Sequence, residues 1–272
     1  MSKQTESTTY LARLALLALF APMLSAAADD LRPEIAASVS AARIEADIRQ
    51  LVSFGTRHTL SDTKSSTRGI GAARRWVESE FRRISAGCGG CLQVITVGDT
   101  ISGEPRIPDP VEVVSVIAIQ RGTIDPDRMV LMAGDIDSRI SDPMNFTDDS
   151  PGANDNASGL AGVLEAARVL SKQQFAGSIV YAALSGEEQG LFGGQILAEH
   201  ALRNGWRIKA VLNNDMIGNI EGIDGVIDNA TARVFSEGTR YTETVEEAAD
   251  RRSRGGEVDS ASRNLARYID RM

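Results

Sequence analysis

Ser178-Ile-Val-Tyr-Ala-Ala-Leu184, then Leu191 to Arg203, then Ile208-Lys-Ala-Val-Leu212 is the stretch that decides the fold. Two short apolar runs flank a longer segment, so it reads strand, helix, strand. Strands joined through a helix lie parallel in one sheet, with the helix packed on its face. Upstream the alternation continues. Asn156 to Leu170 places Leu160, Val163, Leu164 and Ala167 at helical spacing. Met129-Val-Leu-Met-Ala133 and Val111-Glu-Val-Val-Ser-Val-Ile-Ala-Ile119 read as strands parted by a turn over Gly122 to Asp127. Residues 34 to 54 carry Ile44, Ile48 and Leu51 on one helical face. A helix from Gly69 to Ile84 carries Ile70, Ala73, Trp76, Val77 and Phe81, a stripe that reads as core. The expectation is an α/β fold with a largely parallel central sheet and helices on both faces.

A chain of 272 residues that is 42% hydrophobic can bury a substantial core, and one α/β domain over residues 29–272 is expected. Its 29 basic and 37 acidic residues give a net charge of -8, which disfavours a nucleic-acid partner, since phosphate binding draws on clustered Lys and Arg. Residues 1–28 have the three parts of a secretory signal peptide: Lys3 and Arg13, the apolar run Leu14 to Phe20, and Ser25-Ala-Ala-Ala28 before Asp29-Asp30. That run is too short to span a bilayer comfortably, so a periplasmic or secreted protein, free of the membrane after cleavage, is expected. The two cysteines, in Cys88-Gly-Gly-Cys91, have neither a thioredoxin-like setting nor the second pair a zinc ribbon needs. In an oxidising compartment they read as a small disulfide closing a Gly-rich turn.

Acidic residues mark the ends of the apolar runs. Their contexts are Met132-Ala-Gly-Asp-Ile-Asp-Ser138, Gly152-Ala-Asn-Asp-Asn-Ala-Ser-Gly159, Leu184-Ser-Gly-Glu-Glu-Gln-Gly190 and Asn213-Asn-Asp-Met-Ile-Gly218. Ligands of such sheets sit beyond the carboxyl ends of the strands, where Asp135, Glu187, Glu188 and Asp215 fall. Each motif alone has a plainer reading, as a helix cap, a solvated helix start or a turn. Together they suit two divalent cations roughly 3.5–4 Å apart that share one carboxylate. Asp155, in a tight turn at a helix start, could supply that bridge. Adjacent glutamates can divide the work, one on the metal and one on the water as general base. Asp135 and Asp137, two apart, should share one strand face, where close like charges need a cation or a proton between them. Ser185 lacks the Gly-X-Ser-X-Gly elbow of a serine hydrolase. His58 reads as a loop residue and His200 as structural.

Over about residues 40 to 235 the chain resembles metallopeptidase family twenty-eight, the co-catalytic zinc aminopeptidases of exported bacterial type. The motifs at Gly152 to Gly159, at Glu187-Glu188 and at Asn214-Asp215-Met-Ile-Gly218 stand in the family's order and at family-like intervals. The resemblance implies hydrolysis of amino-terminal peptide bonds of peptide substrates through a metal-activated water. It implies two divalent ions, zinc first, while the all-oxygen set Asp135, Asp155, Glu188 and Asp215 leaves manganese or magnesium as alternatives. It makes Asp155 the bridging ligand, Glu188 a ligand of one ion, Asp215 a ligand of the other, and Glu187 the base.

Two departures qualify it. Where the family has His-X-Asp-Ser, this chain has Asp135-Ile136-Asp137-Ser138, so Asp135 takes the place of an imidazole ligand with Asp137 behind it. Carboxylate oxygen ligates zinc at about 2.0–2.2 Å, so Asp135 remains a credible ligand. The family's last ligand is a histidine far downstream, and no histidine follows His200. The chain therefore reads as the amino-terminal portion of a longer enzyme, incomplete at its carboxyl end, with an amphipathic helix over 258–272 lacking a partner surface. A short paralogue, a glutaminyl cyclase-like acyltransferase and an inactive metal-binding or interaction module are the alternatives. Oligomeric state is not legible.

Overall fold

The computed structural model describes residues 32–236, 243–254 and 260–271. The leader, residues 1–28, lies outside them. Helix α1 (Arg32–Ala37) belongs to a small unit ending at Ala37, and every later element belongs to a second unit that begins at Ser38. No helix among the described residues is long and apolar enough to cross a membrane.

The second unit runs α2 (Ala41–Val52), α3 (Gly69–Gly87), β1 (Leu92–Ile101), β2 (Val111–Gln120), β3 (Asp125–Asp135), α4 (Gly159–Leu170), β4 (Gly177–Leu184), α5 (Phe192–Arg203), β5 (Arg207–Asn213), α6 (Val245–Ser253) and α7 (Ala261–Ile269). The sheet order is β1-β2-β4-β3-β5. The class is α/β as expected, and the sheet is mixed. Strands β4, β3 and β5 are parallel neighbours, whereas β2 runs antiparallel to both β1 and β4. The parallel half is the half built through helices α4 and α5. The antiparallel half is a hairpin whose first strand, β1, the periodicity does not announce, because Gly98 and Asp99 interrupt its apolar residues.

Both sheet faces are covered, which is why β2 and β4 are apolar almost throughout. On one face Val116, Ala118, Tyr181 and Ala183 pack against Leu51 of α2, Val77 and Phe81 of α3, and Leu160 and Leu164 of α4. On the other face Val113, Ile117, Val180 and Ala182 pack against Ile196 and Leu197 of α5. Tyr181 is fully buried because its hydroxyl donates to Gln120 Oε1 at 2.9 Å. A disulfide joins Cys88 to Cys91 between α3 and β1. Helix α7 falls within the segment expected to be helical at 258–272, of which residues 258, 259 and 272 lie outside the described residues.

Candidate metal centre

Beyond the carboxyl ends of β3, β4 and β5 the structure gathers Asp135, Asp137, Asp155, Glu187, Glu188 and Asp215. Asp135 ends β3, Glu187 and Glu188 follow β4, and Asp215 follows β5. The floor is buried, with Asp135 at 4%, Asp137 at 0% and Glu188 at 8% exposure. Glu187 is half-buried, and Asp155 and Asp215 face solvent. A buried floor with an exposed acidic rim is a cleft.

The turn Ala153–Ser158 carries Asp155 in extended backbone, and its polar neighbours stitch it to both adjoining loops. Asn156 Nδ2 donates to Asp135 Oδ2 at 2.8 Å and to the Asn214 carbonyl at 2.9 Å. Asn154 Oδ1 accepts from Gly218 N at 2.9 Å, and Ser158 Oγ accepts from Ile217 N at 3.1 Å. The glycines permit this approach: a Cβ on Gly159 would lie 2.2 Å from the Asn214 carbonyl, and one on Gly152 2.4 Å from the Asp155 carbonyl. Asn-Asp-Asn-Ala-Ser is thus a bracket that fixes Asp155 between Asp135 and the Asp215 loop.

One expectation needs correcting here. Asp135 and Asp137 do not share a strand face, because β3 ends at Asp135 and Asp137 lies in the loop beyond it. Released from the ladder, Asp137 turns its carboxylate to backbone donors. Its Oδ1 accepts from Glu187 N at 3.3 Å, and its Oδ2 accepts from Glu188 N at 3.1 Å and Thr59 Oγ1 at 2.8 Å.

The electrostatics are those of a site short of positive charge. Burial, then Asp137, pushes Asp135 up to about 8, with Glu187 and Asp215 adding to it against the Asn156 bond. Burial followed by Asp137, Glu188, Asp215 and Asp155 pushes Glu187 up to about 7. Glu188 is raised by burial and Asp155 although Arg139 Nε donates to its Oε2 at 2.5 Å. Asp215 is raised by partial burial and then Asp155. A divalent cation would relieve this repulsion, and the oxygen donors suit one in charge and hardness. Among the described residues, however, no three His, Cys, Asp or Glu side chains are placed so as to hold a metal ion. Asp135 and Glu188 would exchange their bonds to Asn156 and Arg139 for the ion.

The polar loop Thr56-Arg57-His58-Thr59 is buried alongside the site. His58 is a loop residue, as expected, yet it is fully buried, with Nε2 at 3.0 Å from the Pro143 carbonyl and Nδ1 accepting from Leu60 N at 3.1 Å. A polar tetrad in a loop gives no signal of such burial. His200 lies away from the cleft and packs edge-on against Trp206.

Fold and site place the chain among α/β proteins with an acidic cleft at the ends of parallel strands. The particular assignment comes from comparison: a model of peptidase family M28 matches residues 115–259, more than half the sequence, and the chain belongs to that family. A probable zinc metalloprotease of Leptosphaeria maculans is 44% identical over 230 residues, covering 85% of this chain and 53% of that protein. One of Pyricularia oryzae is 44% identical over 232 residues, covering 85% and 46%. The chain spans about half the length of the curated relatives it matches. Among solved structures, the LapA aminopeptidase of Legionella pneumophila superposes with a TM-score of 0.53 at 23% identity, over 68% of this chain and 45% of that one. A glutaminyl cyclase of Porphyromonas gingivalis gives 0.53 at 23% identity, over 66% and 60%. At these identities the likeness is one of fold.

Proposed function

We propose that this chain carries the strand-end catalytic site of an exported, metal-dependent aminopeptidase that hydrolyses amino-terminal peptide bonds. The observation that carries the reading is the convergence of six carboxylates on one cleft with, among the described residues, one paired cation, Arg139, in a member of a metallopeptidase family. Asp155, whose charge raises both Glu188 and Asp215, would be the carboxylate shared between two ions. Glu188 would hold one ion, and Asp215, whose charge bears on Asp135, would hold the other together with Asp135. Bound divalent ions supply Lewis acidity and lower the pKa of water.

Glu187 is the proton carrier. It is half-buried and adjoins Glu188 in the chain, so its carboxylate stands where it can accept a proton from water held at the ions and return it. It takes the proton of the attacking water and hands it to the leaving amine. Asp137 holds the backbone of Glu187 and Glu188 from below. With oxygen donors alone in the legible set, selectivity tilts from zinc toward manganese or magnesium, although the relatives are named for zinc. Export rests on the signal-like leader.

Purified protein, loaded with zinc or manganese, is offered aminoacyl reporters and a peptide with amino-terminal Gln. Release of the terminal residue is expected. Cyclisation of the Gln peptide without hydrolysis would assign the cyclase reaction instead, and metal binding without either reaction would leave a binding module.

A further inference from the structure

The loop before α3 contains the most deeply buried cation among the described residues. Arg57 is 1% exposed, and its guanidinium donates to backbone carbonyls. Nε donates to Ile136 O at 2.7 Å, Nη1 to Pro151 O at 2.7 Å and Leu51 O at 3.2 Å, and Nη2 to Gly152 O at 3.0 Å. Ile136 precedes Asp137, and Gly152 opens the turn that carries Asp155. One planar fork therefore spans the two loops that supply those carboxylates, a geometry an ammonium group cannot reproduce. Two residues on, Thr59 donates to Asp137 Oδ2 at 2.8 Å, and Asp137 in turn accepts from Glu187 N and Glu188 N. The neighbours complete the clamp: Thr56 Oγ1 lies 2.9 Å from Ser150 Oγ, and His58 and Gln189 both reach the Pro143 carbonyl, at 3.0 and 2.8 Å.

We propose that Arg57 and Thr59 are positioning residues of the metal centre. Arg57 sets the Asp137 loop against the Asp155 turn, and Thr59 sets Asp137 beneath the backbone of Glu187 and Glu188. The inference rests on the reading of the strand-end carboxylates as metal ligands. Outer partners of this kind typically change metal affinity 10–100-fold when lost. Thr59→Val is close to isosteric and removes only the donor to Asp137. Thr59→Ser keeps that donor, and Arg57→Lys keeps the charge while losing the fork.

Two readouts separate the inference from the reading beneath it. Titration of manganese and of zinc into the full chain should show Thr59→Val and Arg57→Lys weakened about 10–100-fold, with Thr59→Ser at wild-type affinity. Amide hydrogen exchange on the metal-free chain should show Glu187 and Glu188 exchanging faster in Thr59→Val than in wild type or Thr59→Ser, with core amides such as Leu131 and Val180 unchanged. Wild-type chain that binds neither metal removes the metal reading, and the exchange data then decide the positioning claim alone. Exchange at Glu187 and Glu188 unaltered by Thr59→Val overturns the inference, whatever the affinities, and so does wild-type metal affinity in Thr59→Val.

Discussion

Two clusters of buried charge lie in the second unit, and they are balanced in opposite ways. Between α2, α3 and α4, Arg168 pairs with Asp47 at 2.7 Å, Glu165 at 3.1 Å and Glu80 at 3.2 Å, and Arg83 pairs with Glu80 as well. Glu165 further accepts from Ser40 N at 2.8 Å, just before α2 begins. That cluster carries its own cations and ties three helices together. At the strand ends six carboxylates have one paired cation among the described residues, Arg139 on Glu188. A further positive charge, Arg57, gives its donors to carbonyls, and burial pushes it down to about 10 against the pull of Asp137 and Asp155. Breaking a closed pair strands its buried partners, whereas acidic groups left unbalanced are the material of a binding and reaction site.

The comparison breaks first, and with the largest effect, at Glu187. On the proposed activity, Glu187→Gln should lose about 10²- to 10⁴-fold in turnover while keeping its metal, because the amide cannot accept a proton. Steady-state kinetics beside elemental analysis decides this, and near-normal turnover would remove Glu187 from the role. The corresponding change in the balanced cluster acts on folding instead. Arg168→Met leaves three buried carboxylates without their shared partner and should cost about 3–5 kcal/mol, read from urea unfolding. A loss under about 1 kcal/mol would mean the helix cluster is no better balanced than an exposed pair.

A smaller effect separates the clusters by pH. Asp135 and Glu187 have folded-state values raised to about 8 and about 7, above the ordinary 3.8 and 4.5 of an unfolded chain. Across that interval the folded state holds protons that the unfolded state has released, so unfolding free energy falls as pH rises. Metal-free chain should therefore lose thermal stability steadily between about pH 4 and pH 8. Saturating manganese should flatten the slope. A metal-free chain that grows more stable over that range would contradict the crowding of carboxylates at the strand ends.

The contrast also explains what the sequence disclosed. Strands β2 to β5 and helices α3 to α5 are legible because apolar periodicity is a local property, and the acidic motifs are legible because strand ends follow directly from it. β1 is not, since an edge strand needs only one good face and Gly98 and Asp99 spoil its pattern. Asp137 was legible as a carboxylate near the site and not as a backbone anchor, because that role depends on where β3 stops. Arg57 and Thr59 act on residues 78 to 95 positions away, through carbonyls and a carboxylate that no local pattern marks. In the helix cluster the three-residue spacing of Glu165 and Arg168 is visible, whereas Asp47 and Glu80 join them only through packing.

The most direct test is metal uptake by chelator-stripped chain, measured by titration calorimetry with elemental analysis of the dialysed product. The wild type should bind divalent metal, Asp155→Ala should lose it altogether, and Asp215→Ala should weaken one site and keep the other. Equal losses in the two variants would contradict the bridging position of Asp155. A wild-type chain that takes up neither zinc nor manganese would contradict the account of the strand-end carboxylates as a metal centre.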